Sequence, residues 1–346
     1  MDAILYHCRP IYSLKSLALA LGESVEFLGW LACQADSLYR PVQLVKKDGT
    51  PRYAYDARAD LKKVQRKIVD RILARVVYPK YLHGGIKDAD FRRSIYSNAN
   101  LHTGAKSYIV QDISNFFPSI SFAKVYDVFS LFFNFGHVVA HLLTRLVTRA
   151  GVVPQGASTS SYLANLVFWD VEPEVVLGLK EKGFCYSRFA DDITVSSPSA
   201  LSADEKTEIV TKVTGMLARK GFKQKRSKMH VLKKGQAIAL SNGKYEPALI
   251  TGLSISGPKP VITKKERNRI RGLVKNYQAL IDMGRPDSEL EKVFHKVMGQ
   301  VGRIIACGQA EGAELKKTLN EARRLSKKSI FERHDSLINA SESSQA

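Results

Sequence analysis

The sequence predicts an α+β fold, in which a β-sheet carries acidic side chains and amphipathic helices surround it. In the stretch from Tyr186 to Ser196, Asp191 and Asp192 lie between apolar, β-prone flanks, which indicates a strand, a tight turn and a second strand. An earlier apolar strand, from Tyr108 to Ser114, carries Asp112. Apolar residues at helical spacing occur before, between and after these strands, so helices are expected there.

These three carboxylates predict a metal site. Neighbouring strand residues point to opposite faces of a sheet, so only a turn lets Asp191 and Asp192 share one space. An acid such as Asp112 at the end of an apolar strand is costly unless it is solvated or bound to metal. Carboxylate oxygens suit Mg²⁺, and two such ions clamp the attacking and leaving oxygens of a phosphoryl transfer. The alternative is an ordinary Asp-Asp surface turn, which the second acidic strand and an upstream Gln-Gly loop outweigh.

Several motifs follow one another in an order that resembles a known family. Phe189-Ala190-Asp191-Asp192 is similar to a Tyr-Ala-Asp-Asp box, and Val153 to Ser158 is similar to a Pro-Gln-Gly loop. Asp112 to Ile120 resembles the first palm motif of the same enzymes. From about Val45 to Ser256 the chain therefore resembles the reverse transcriptases of the bacterial retron type. Phe189 stands where that family usually has Tyr.

Two further segments favour a retron-type enzyme over a group II intron or viral one. Asn98-Ala99-Asn100-Leu101-His102 matches the Asn-Ala-x-x-His signature of retron enzymes. Asn98 and His102 are read either as RNA-binding residues or as a structural brace, with His102 as a general acid a third alternative. Leu249 to Ile255 resembles the Val-Thr-Gly box and is predicted to be a strand broken by Gly252.

The resemblance implies a right-hand polymerase with fingers, an antiparallel-sheet palm and a helical thumb. The expected divisions are a helical lead-in at 1–40, fingers at 41–107, a palm at 108–257, a thumb at 258–339 and a disordered tail at 340–346. Asp112 and Asp191 are expected to bridge two Mg²⁺ ions, and Asp192 to complete or orient the site. The resemblance also implies a structured non-coding RNA as template and often primer, deoxynucleotides as substrates, DNA as product, and anti-phage defence with a separate effector protein.

The charge of the chain agrees with a nucleic-acid partner. Its 346 residues carry 53 Lys and Arg against 33 Asp and Glu, a formal net charge of +20. A chain this basic needs a polyanionic partner or a strongly solvated surface. Ribosome-like binding and membrane-surface binding are the alternatives on charge alone. Charge does not distinguish an enzyme from a binding protein, whereas the three carboxylates do.

Cysteine usage and hydropathy predict a cytoplasmic protein. The four cysteines, Cys8, Cys33, Cys185 and Cys307, are far apart and form no Cys-x-x-Cys pair, so neither zinc nor a disulfide framework is expected. The sequence has no apolar run long enough to span a membrane and no signal-peptide pattern.

The first hundred residues predict two short helices, a hairpin and a longer helix. Leu14–Leu21 and Val25–Ala32 show helical periodicity, with Ser24 as the N-cap of the second. The segment from Val42 to Tyr55 alternates around an Asp-Gly turn, which predicts a hairpin. We expect Lys47 and Arg52 on it to bind the nucleotide triphosphate; ordinary surface Lys and Arg on a solvated hairpin are the alternative. The apolar residues of the predicted longer helix are Leu61, Val64, Ile68, Ile72, Leu73 and Val76.

The Gly84-Gly85 loop allows close approach of a phosphate or base, or is only a turn. Farther on, the aromatic residues between Phe122 and Phe133 are expected in the core. Phe117 is the exception: the resemblance implies that its ring lies under the sugar of the incoming nucleotide and leaves no room for a 2′-hydroxyl, which argues for deoxynucleotides.

Gln155 and Gly156 are expected to bind the nucleotide, with Gly156 allowing the backbone close to the primer terminus and Gln155 packing on the sugar face of the nucleotide. They open a helix predicted to run through Val171, on which Asp170 and Glu172 are read as solvated.

Basic residues follow the second half of the predicted sheet. Ala203–Lys220 is predicted as a helix that ends at Gly221. Lys228 matches the final lysine of the motif that closes the palm, and acts either near the leaving pyrophosphate, electrostatically or as a general acid, or as a plain phosphate contact. Beyond it the pattern is helical and basic. The expected RNA-binding residues at the start of this helical region are Lys264, Lys265, Arg267, Arg269 and Arg271.

Two rivals remain to the retron interpretation. One is another defence-associated reverse transcriptase that makes a different product, such as repetitive DNA. The other is a catalytically idle RNA-binding protein on a polymerase scaffold. The carboxylates and Gln155-Gly156 argue against the second.

Overall fold

The computed structural model describes residues 3–45, 49–233, 235, 237–239 and 245–326. These residues form two compact units, one extending to Thr251 and the other beginning at Gly252. Lys47 and the tail at 340–346 lie outside the described residues, so the structure does not bear on the predictions made for them.

The described part of the first unit combines ten α-helices with eleven strands. The helices are α1 (Leu14–Leu21), α2 (Val25–Gln34), α3 (Ala59–Arg71), α4 (Ile95–Asn100), α5 (Phe116–Ser119), α6 (Phe122–Asp127), α7 (His137–Val147), α8 (Ser160–Leu166), α9 (Glu172–Lys180) and α10 (Ala203–Arg219). The strands are β1 (Leu5–Tyr6), β2 (Tyr39–Val45), β3 (Pro51–Ala57), β4 (Val76–Val77), β5 (Leu82–His83), β6 (Ser107–Asp112), β7 (Cys185–Phe189), β8 (Asp192–Ser197), β9 (His230–Lys233), β10 (Ala237–Ala239) and β11 (Tyr245–Pro247).

The central sheet has five strands in the order β5-β7-β8-β6-β9. Every neighbouring pair is antiparallel except β5 and β7, which run parallel. The predicted antiparallel sheet is therefore right for four strands and wrong at one edge. A parallel pair requires a long crossover, here the whole chain between β5 and β7, and no local sequence pattern reports such a pairing.

The two N-terminal helices begin as the sequence predicts. The side chain of Ser24 accepts a hydrogen bond from the Phe27 N–H at 3.1 Å and so caps α2. Leu17 and Leu21 of α1 and Leu28 and Leu31 of α2 are fully buried in the core. Burying such side chains is the main favourable term that holds these short helices in place.

The predicted hairpin is also present as β2 and β3, paired antiparallel from Tyr39 opposite Ala57 to Val45 opposite Pro51. The helix after it is shorter than predicted, because α3 ends at Arg71 and a single 3-10 turn, Leu73–Arg75, follows. The predicted apolar face nevertheless enters the core, since Leu61, Val64, Ile68, Ile72 and Leu73 are all buried.

Two other predicted elements are wrong in extent. The helix predicted to run through Val171 is split into α8 and α9, and α9 begins at Glu172 followed by Pro173, a residue suited to the first turn of a new helix. Leu249 to Ile255 is not a strand. Thr251 and Gly252 both have positive φ, at 47° and 80°, so the backbone turns where the strand was expected to continue.

The second unit is helical where it is described from residue 264 onward. Its helices are α11 (Lys264–Asp282), α12 (Asp287–Ala306) and α13 (residues 311–326). α11 and α12 pack through apolar residues such as Ile270, Val274 and Val297, with the rings of Tyr277 and Phe294 5.9 Å apart. The predicted basic helical region is thus present as a helical hairpin with a third helix after it.

Within the described residues, no single helix has the length and apolar character needed to cross a membrane. One bent pair, Leu14–Leu21 with Val25–Leu38 at 91°, passes that test only when its two parts are taken together.

Candidate catalytic centre

The Asp-Asp stretch forms the predicted hairpin. β7 and β8 pair antiparallel and place Phe189 opposite Asp192, so that Ala190 and Asp191 form a two-residue turn. Ala190 has a φ of 54°, in the left-handed region that few non-glycine residues adopt. Asp191 therefore lies in the turn itself, whereas Asp192 is the first residue of β8.

The neighbouring strand brings in the third carboxylate. β6 pairs with β8 in a register that sets Asp112 directly opposite Asp192. Just beyond that pair, the Ile113 N–H donates to the Asp191 carbonyl at 3.0 Å. Asp112 is buried, with 5% of its surface exposed. The structure thus brings together, from two separate segments, the three acids that the sequence singled out.

Crowding three carboxylates changes their acidity. The protein atoms around Asp192, and then the charges of Asp191 and Asp112, raise the pKa of Asp192 to about 7. Burial likewise raises the pKa of Asp191, with the charge of Asp112 acting in the same direction. Asp192 keeps an exposed face, so part of this burial effect is relieved by water. The like charges of the neighbouring acids raise the pKa of Asp192 even so. Such crowding of negative charge indicates a site that binds a cation.

One cation is supplied by the chain itself. Lys228 Nζ lies 2.6 Å from Asp112 Oδ2. Burial works against the charged lysine, but its hydrogen bond to Asp112 and the charges of the three acids raise its pKa. Two backbone hydrogen bonds hold the segment before Lys228 against the end of β6. The Lys225 N–H donates to the Asp112 carbonyl at 2.7 Å, and the Ser114 N–H donates to the Lys223 carbonyl at 2.8 Å.

The donor set fits a hard divalent cation, although it is not arranged as a finished metal site. Among the described residues, no group of three or more His, Cys, Asp or Glu side chains is already placed to hold a metal ion. Lys228 is bonded to one of the candidate oxygens. Three carboxylates, two of them with raised pKa values, nevertheless supply the oxygen ligands and the uncompensated negative charge that Mg²⁺ requires.

The hairpin of β2 and β3 is joined to the Gln-Gly loop. Arg52 Nε donates to Gln155 Oε1 at 2.7 Å, and the Tyr55 N–H donates to the Gln155 carbonyl at 2.7 Å. Gly156 has a φ of 103°, and a Cβ there would lie 3.2 Å from the Tyr55 carbonyl oxygen. Glycine is needed here for its backbone conformation and for this close approach. The predicted nucleotide-binding residues Arg52, Gln155 and Gly156 therefore form one connected group.

Phe116 and Phe117 differ in their surroundings. Phe116 is buried and its ring stacks on that of Phe168 at 6.1 Å, with Phe222 at 5.5 Å. Phe117 is only partly buried against the same core. The ring that the sequence assigned to sugar selection is thus the one of the two that a ligand can still reach.

The double-glycine loop supports the Asp-Asp turn from behind. The Ala190 N–H donates to the His83 carbonyl at 3.2 Å, and a Cβ on Gly84 would lie 3.0 Å from the Ala190 nitrogen. A Cβ on Gly85 would clash with Ser161, whose Oγ it would approach to 2.4 Å. Both glycines have positive φ. The two glycines allow the loop to approach the backbone of Ala190 and the side chain of Ser161 closely. Their close contacts are therefore with the protein itself and not with the phosphate or base that the sequence suggested.

The structure favours the brace for Asn98 and His102. Each has only 1% of its surface exposed, so neither side chain is available for the predicted RNA contact. His102 Nδ1 lies 2.8 Å from Ser196 Oγ and Nε2 lies 2.7 Å from Ser187 Oγ, which joins β8 to β7. Burial lowers the pKa of His102 to about 3, so the ring is neutral at neutral pH. The general-acid alternative gains no support from this position, since the ring is enclosed and both of its nitrogens contact serine hydroxyls.

Three of the five predicted RNA-binding residues at the start of α11 already have acidic partners. Arg267 and Arg271 both pair with Glu311, and Arg269 pairs with Glu266. Lys264 and Lys265 are exposed, and neither has an ion-pair partner among the described residues. The predicted cluster thus divides into two free lysines and three arginines engaged within the protein.

The interpretation of Glu172 as solvated is wrong, and Arg188 was missed. Both are fully buried and form an ion pair, with Arg188 Nε 2.6 Å from Glu172 Oε1. Asp170, by contrast, is exposed and pairs with Lys220, as expected of a surface acid. A signal for Arg188 was available in the sequence. It lies within an apolar strand, where a charge needs a partner of opposite sign.

Comparisons with known proteins bear on what this arrangement does. A family model described as reverse transcriptase (RNA-dependent DNA polymerase) matches residues 44–255. The retron Se72 reverse transcriptase of Salmonella heidelberg (strain 579083-10) is 33% identical over 313 residues, which cover 90% of this chain and 80% of that protein. The retron Ec48 reverse transcriptase of Escherichia coli is 29% identical over 320 residues, which cover 90% of this chain and 76% of that protein.

Among solved structures, a telomerase from Candida albicans in complex with a TWJ fragment of telomeric RNA is 10% identical. The similarity covers 82% of this chain and 63% of that chain, with a TM-score of 0.41. A score this low bears on neither fold nor function, so the sequence comparisons alone carry weight.

Proposed function

The chain belongs to the reverse transcriptase family as a retron-type member, an RNA-directed DNA polymerase, and from this premise we propose a more specific activity. The protein copies a structured non-coding RNA into single-stranded DNA with the help of two Mg²⁺ ions, in the cytoplasm, as part of an anti-phage system with a separate effector protein. The main observation in support of this catalytic activity is that Asp112, Asp191 and Asp192 lie together at one end of the sheet.

The three acids have different roles in this proposal. Asp112 and Asp191 would hold the two ions, and Asp192 would complete or orient the site. When bound, the ions supply positive charge at the attacking and leaving oxygens of the transfer to the α-phosphate. The raised pKa values of Asp191 and Asp192 support this assignment, because their charge is incompletely compensated by the protein alone.

Lys228 is proposed to act electrostatically. Its raised pKa makes it a weaker proton donor and a more persistent cation, which favours charge stabilisation over general-acid catalysis. More than half of its side chain is exposed, so it can turn from Asp112 towards a phosphate of the substrate or product.

Nucleotide recognition is proposed for the group formed by Arg52, Gln155 and Gly156, with Phe117 excluding the 2′-hydroxyl. The guanidinium of Arg52 uses its Nε for Gln155, which leaves its terminal nitrogens for a triphosphate. Lys47 belongs to the same proposal by its place on the predicted hairpin. The half-buried state of Phe117 supports its role, since a fully buried ring could not exclude anything.

The right-hand arrangement is part of the proposal. Residues 41–107 form the fingers, 108–257 the palm and 258–339 the thumb, with 1–40 as a helical lead-in. The division of the chain at Thr251 and Gly252, close to the proposed end of the palm, supports the assignment of a separate thumb. We propose that Lys264 and Lys265 bind the phosphates of the template–primer duplex, which proteins hold mainly by shape and backbone.

A primer-extension assay tests the proposal. Purified protein is given an RNA template with an annealed DNA primer, deoxynucleotides and Mg²⁺, and the DNA product is resolved by length. We expect extension that stops when the metal is chelated and resumes when Mg²⁺ is restored in excess. No extension on any template would contradict the proposal and favour the idle RNA-binding alternative. Extension on DNA templates only would contradict RNA-directed synthesis without favouring that alternative.

A further inference from the structure

Arg188 is the largest fully buried side chain among the described residues, and each of its five N–H groups has an acceptor. Nε and one hydrogen of Nη2 bind the two oxygens of Glu172, at 2.6 and 2.7 Å. Nη1 donates to the carbonyls of Ala164 and Ala190, at 3.1 and 3.2 Å, and Nη2 also donates to the carbonyl of Asn165, at 3.2 Å. This side chain therefore has no hydrogen-bonding capacity left for solvent or substrate.

Glu172 completes the pair and is itself oriented by a second residue. Its Oε1 accepts from Tyr186 Oη at 2.7 Å as well as from Arg188. A buried ion pair is poor evidence for stability, because well-packed apolar residues of similar volume often serve as well or better. The free energy of folding alone therefore does not explain a fully buried charge pair at this place, and its geometry is the feature to consider.

Arg188 fixes the backbone of the Asp-Asp turn from one side. Its Nη1 holds the Ala190 carbonyl, while the His83 carbonyl holds the Ala190 N–H. Ala190 is in the left-handed conformation, which is unfavourable for an L-residue because its Cβ comes too close to the following carbonyl oxygen. The peptide groups on both sides of Ala190 are thus held in a conformation that the local sequence does not favour. Asp191 follows directly.

The same guanidinium reaches the helix that follows the Gln-Gly loop. The carbonyls of Ala164 and Asn165 lie in the last turn of α8, where carbonyls lack partners within the helix and the helix dipole attracts a cation. One rigid group therefore joins the carboxylate turn to the helix that begins just after Gln155 and Gly156.

We propose that Arg188, oriented by Glu172 and Tyr186, is a positioning residue that fixes the Ala190-Asp191-Asp192 turn for metal binding and couples it to α8. The residue touches neither substrate nor metal and acts through the turn. The inference rests on the proposed function, since it takes Asp191 and Asp192 as the metal ligands.

The test uses Arg188→Lys in the full chain, which keeps the charge but cannot make five bonds in a planar fork. Binding of Mn²⁺ is measured by electron paramagnetic resonance without substrate, together with the Mg²⁺ concentration that gives half-maximal primer extension. We expect the Mn²⁺ dissociation constant and the half-maximal Mg²⁺ concentration both to rise about tenfold, as is typical when a group that orients metal ligands is replaced. The matched control is Arg219→Lys, at an exposed pair with Glu174, and should leave both values unchanged.

Tyr186→Phe is the second variant, because Arg188→Lys can fail to fold. It removes one hydroxyl from the buried network and leaves Arg188 in place, so we expect a smaller rise in the same two values. Lowered thermal stability in these variants with the wild-type Mn²⁺ affinity and Mg²⁺ requirement would overturn the proposal and leave a purely structural ion pair. If Arg188→Lys does not fold, the result for Tyr186→Phe decides alone.

Failure of the proposed function is distinguishable from failure of this inference. It would appear in the wild-type protein as absence of primer extension, whatever the variants do. The Mn²⁺ measurement needs no turnover, so it still reports whether Arg188 orders the carboxylates. A wild-type protein that binds no Mn²⁺ would overturn both.

Discussion

At the scale of single residues, the molecule shows how burial decides the role of a polar side chain. His102 and Phe117 were both singled out from sequence motifs, yet one is enclosed and the other is still accessible. The imidazole of His102 bonds two serine hydroxyls and has become part of the sheet. Phe117 keeps the partial exposure that contact with a ligand requires. Motif identity alone did not separate these two cases, because exposure depends on the packing of distant segments.

We expect Asp191→Asn with Asp192→Asn to abolish DNA synthesis while RNA affinity stays close to wild type. The pair is proposed to hold metal, whereas the many cations of the chain hold phosphate. Both acids have raised pKa values, so their ionised forms are disfavoured in the folded protein, and neutral replacements should not lower the melting temperature at pH 7.5. Extension assays, RNA titration and thermal unfolding of one preparation check this. Equal loss of RNA binding and activity would contradict it.

Replacement of Phe117 by Val should relax selection against ribonucleotides by about tenfold or more, because a smaller side chain frees the space for a 2′-hydroxyl. The measurement is the ratio of kcat/KM for a deoxynucleotide to that for the matching ribonucleotide. Phe132→Val, at a half-buried ring that packs on Trp169, is the control for loss of aromatic packing. The same ratio in wild type and Phe117→Val would show that another group selects the sugar.

His102 should make folding stability depend on pH. Its pKa is about 3 in the folded protein against about 6.5 when unfolded, so the unfolded chain binds more protons between these values and stability is lost as the pH falls through that window. We expect the advantage of wild type over His102→Gln in unfolding free energy to shrink by about 2 kcal/mol from pH 7 to pH 5. Comparing the two proteins cancels the contributions of His83 and Asp192.

The measurement for His102 is denaturant unfolding at the two pH values. His7→Gln, at an exposed histidine, is the control for the loss of an imidazole from the chain. A difference between wild type and His102→Gln that stays constant with pH would mean that folding does not lower the pKa of His102.

At the scale of elements, sequence patterns predicted the type of each segment, helix or strand, more accurately than the residue at which it ends. The hairpins β2–β3 and β7–β8, the strand β6 and the helices α1, α2 and α10 lie where alternation, periodicity and caps placed them. The errors arose where a distant partner decides the structure. Arg188 takes the carbonyls in the last turn of α8, and β5 joins the sheet through a strand far along the chain. Local periodicity contains no information about such partners.

The same limit applies to the candidate site. The three acids could be predicted because each lies in a short motif of its own. The Arg188–Glu172 pair could not, since Glu172 reads as a solvated residue at a helix start until the strand that covers it is known. The ion pairs of Arg267 and Arg271 were missed for a similar reason, as Glu311 belongs to a later helix. The pair of Arg269 is local, since Glu266 lies three residues earlier on α11, and its spacing was a signal that the sequence offered.

Those ion pairs change what is expected of the start of α11. Neutralising Lys264 and Lys265 to Gln should flatten the slope of log RNA affinity against log salt by about 1.4 to 1.8 units, for two lost phosphate contacts. Neutralising the three arginines should flatten it by less for each residue and should destabilise the second unit, because Glu266 and Glu311 lose partners. Turnover at saturating template should change little in both variants.

Filter-binding titrations over a series of salt concentrations provide the slopes. The control is Lys182→Gln with Lys212→Gln, which removes two lysines that pair with Glu208 on the first unit. An unchanged slope after loss of Lys264 and Lys265 would mean that this face does not meet RNA, and the proposed thumb contact would have to lie elsewhere.

At the scale of the whole molecule, a net charge of +20 means that binding to RNA begins with long-range attraction and only later becomes specific. We therefore expect nucleic acid to co-purify with the protein at low salt. A retron-type enzyme should carry one folded RNA species joined covalently to DNA, detectable by sequencing with and without ribonuclease. Repetitive DNA without a linked RNA would favour the other defence-associated reverse transcriptases, and unselected ribosomal RNA would indicate charge alone.

The position of β6 in the sheet affects how the enzyme folds during translation. Its two neighbours, β8 and β9, are both encoded well downstream, so a ribosome releases Asp112 long before either partner strand exists. Pairing over such distances is slow, and the growing chain is exposed to aggregation meanwhile. During that interval the nascent polypeptide is already basic and surrounded by ribosomal and messenger RNA, yet its carboxylates are still apart. The three carboxylates can meet only after translation has passed β8, so a growing chain cannot carry out synthesis before then.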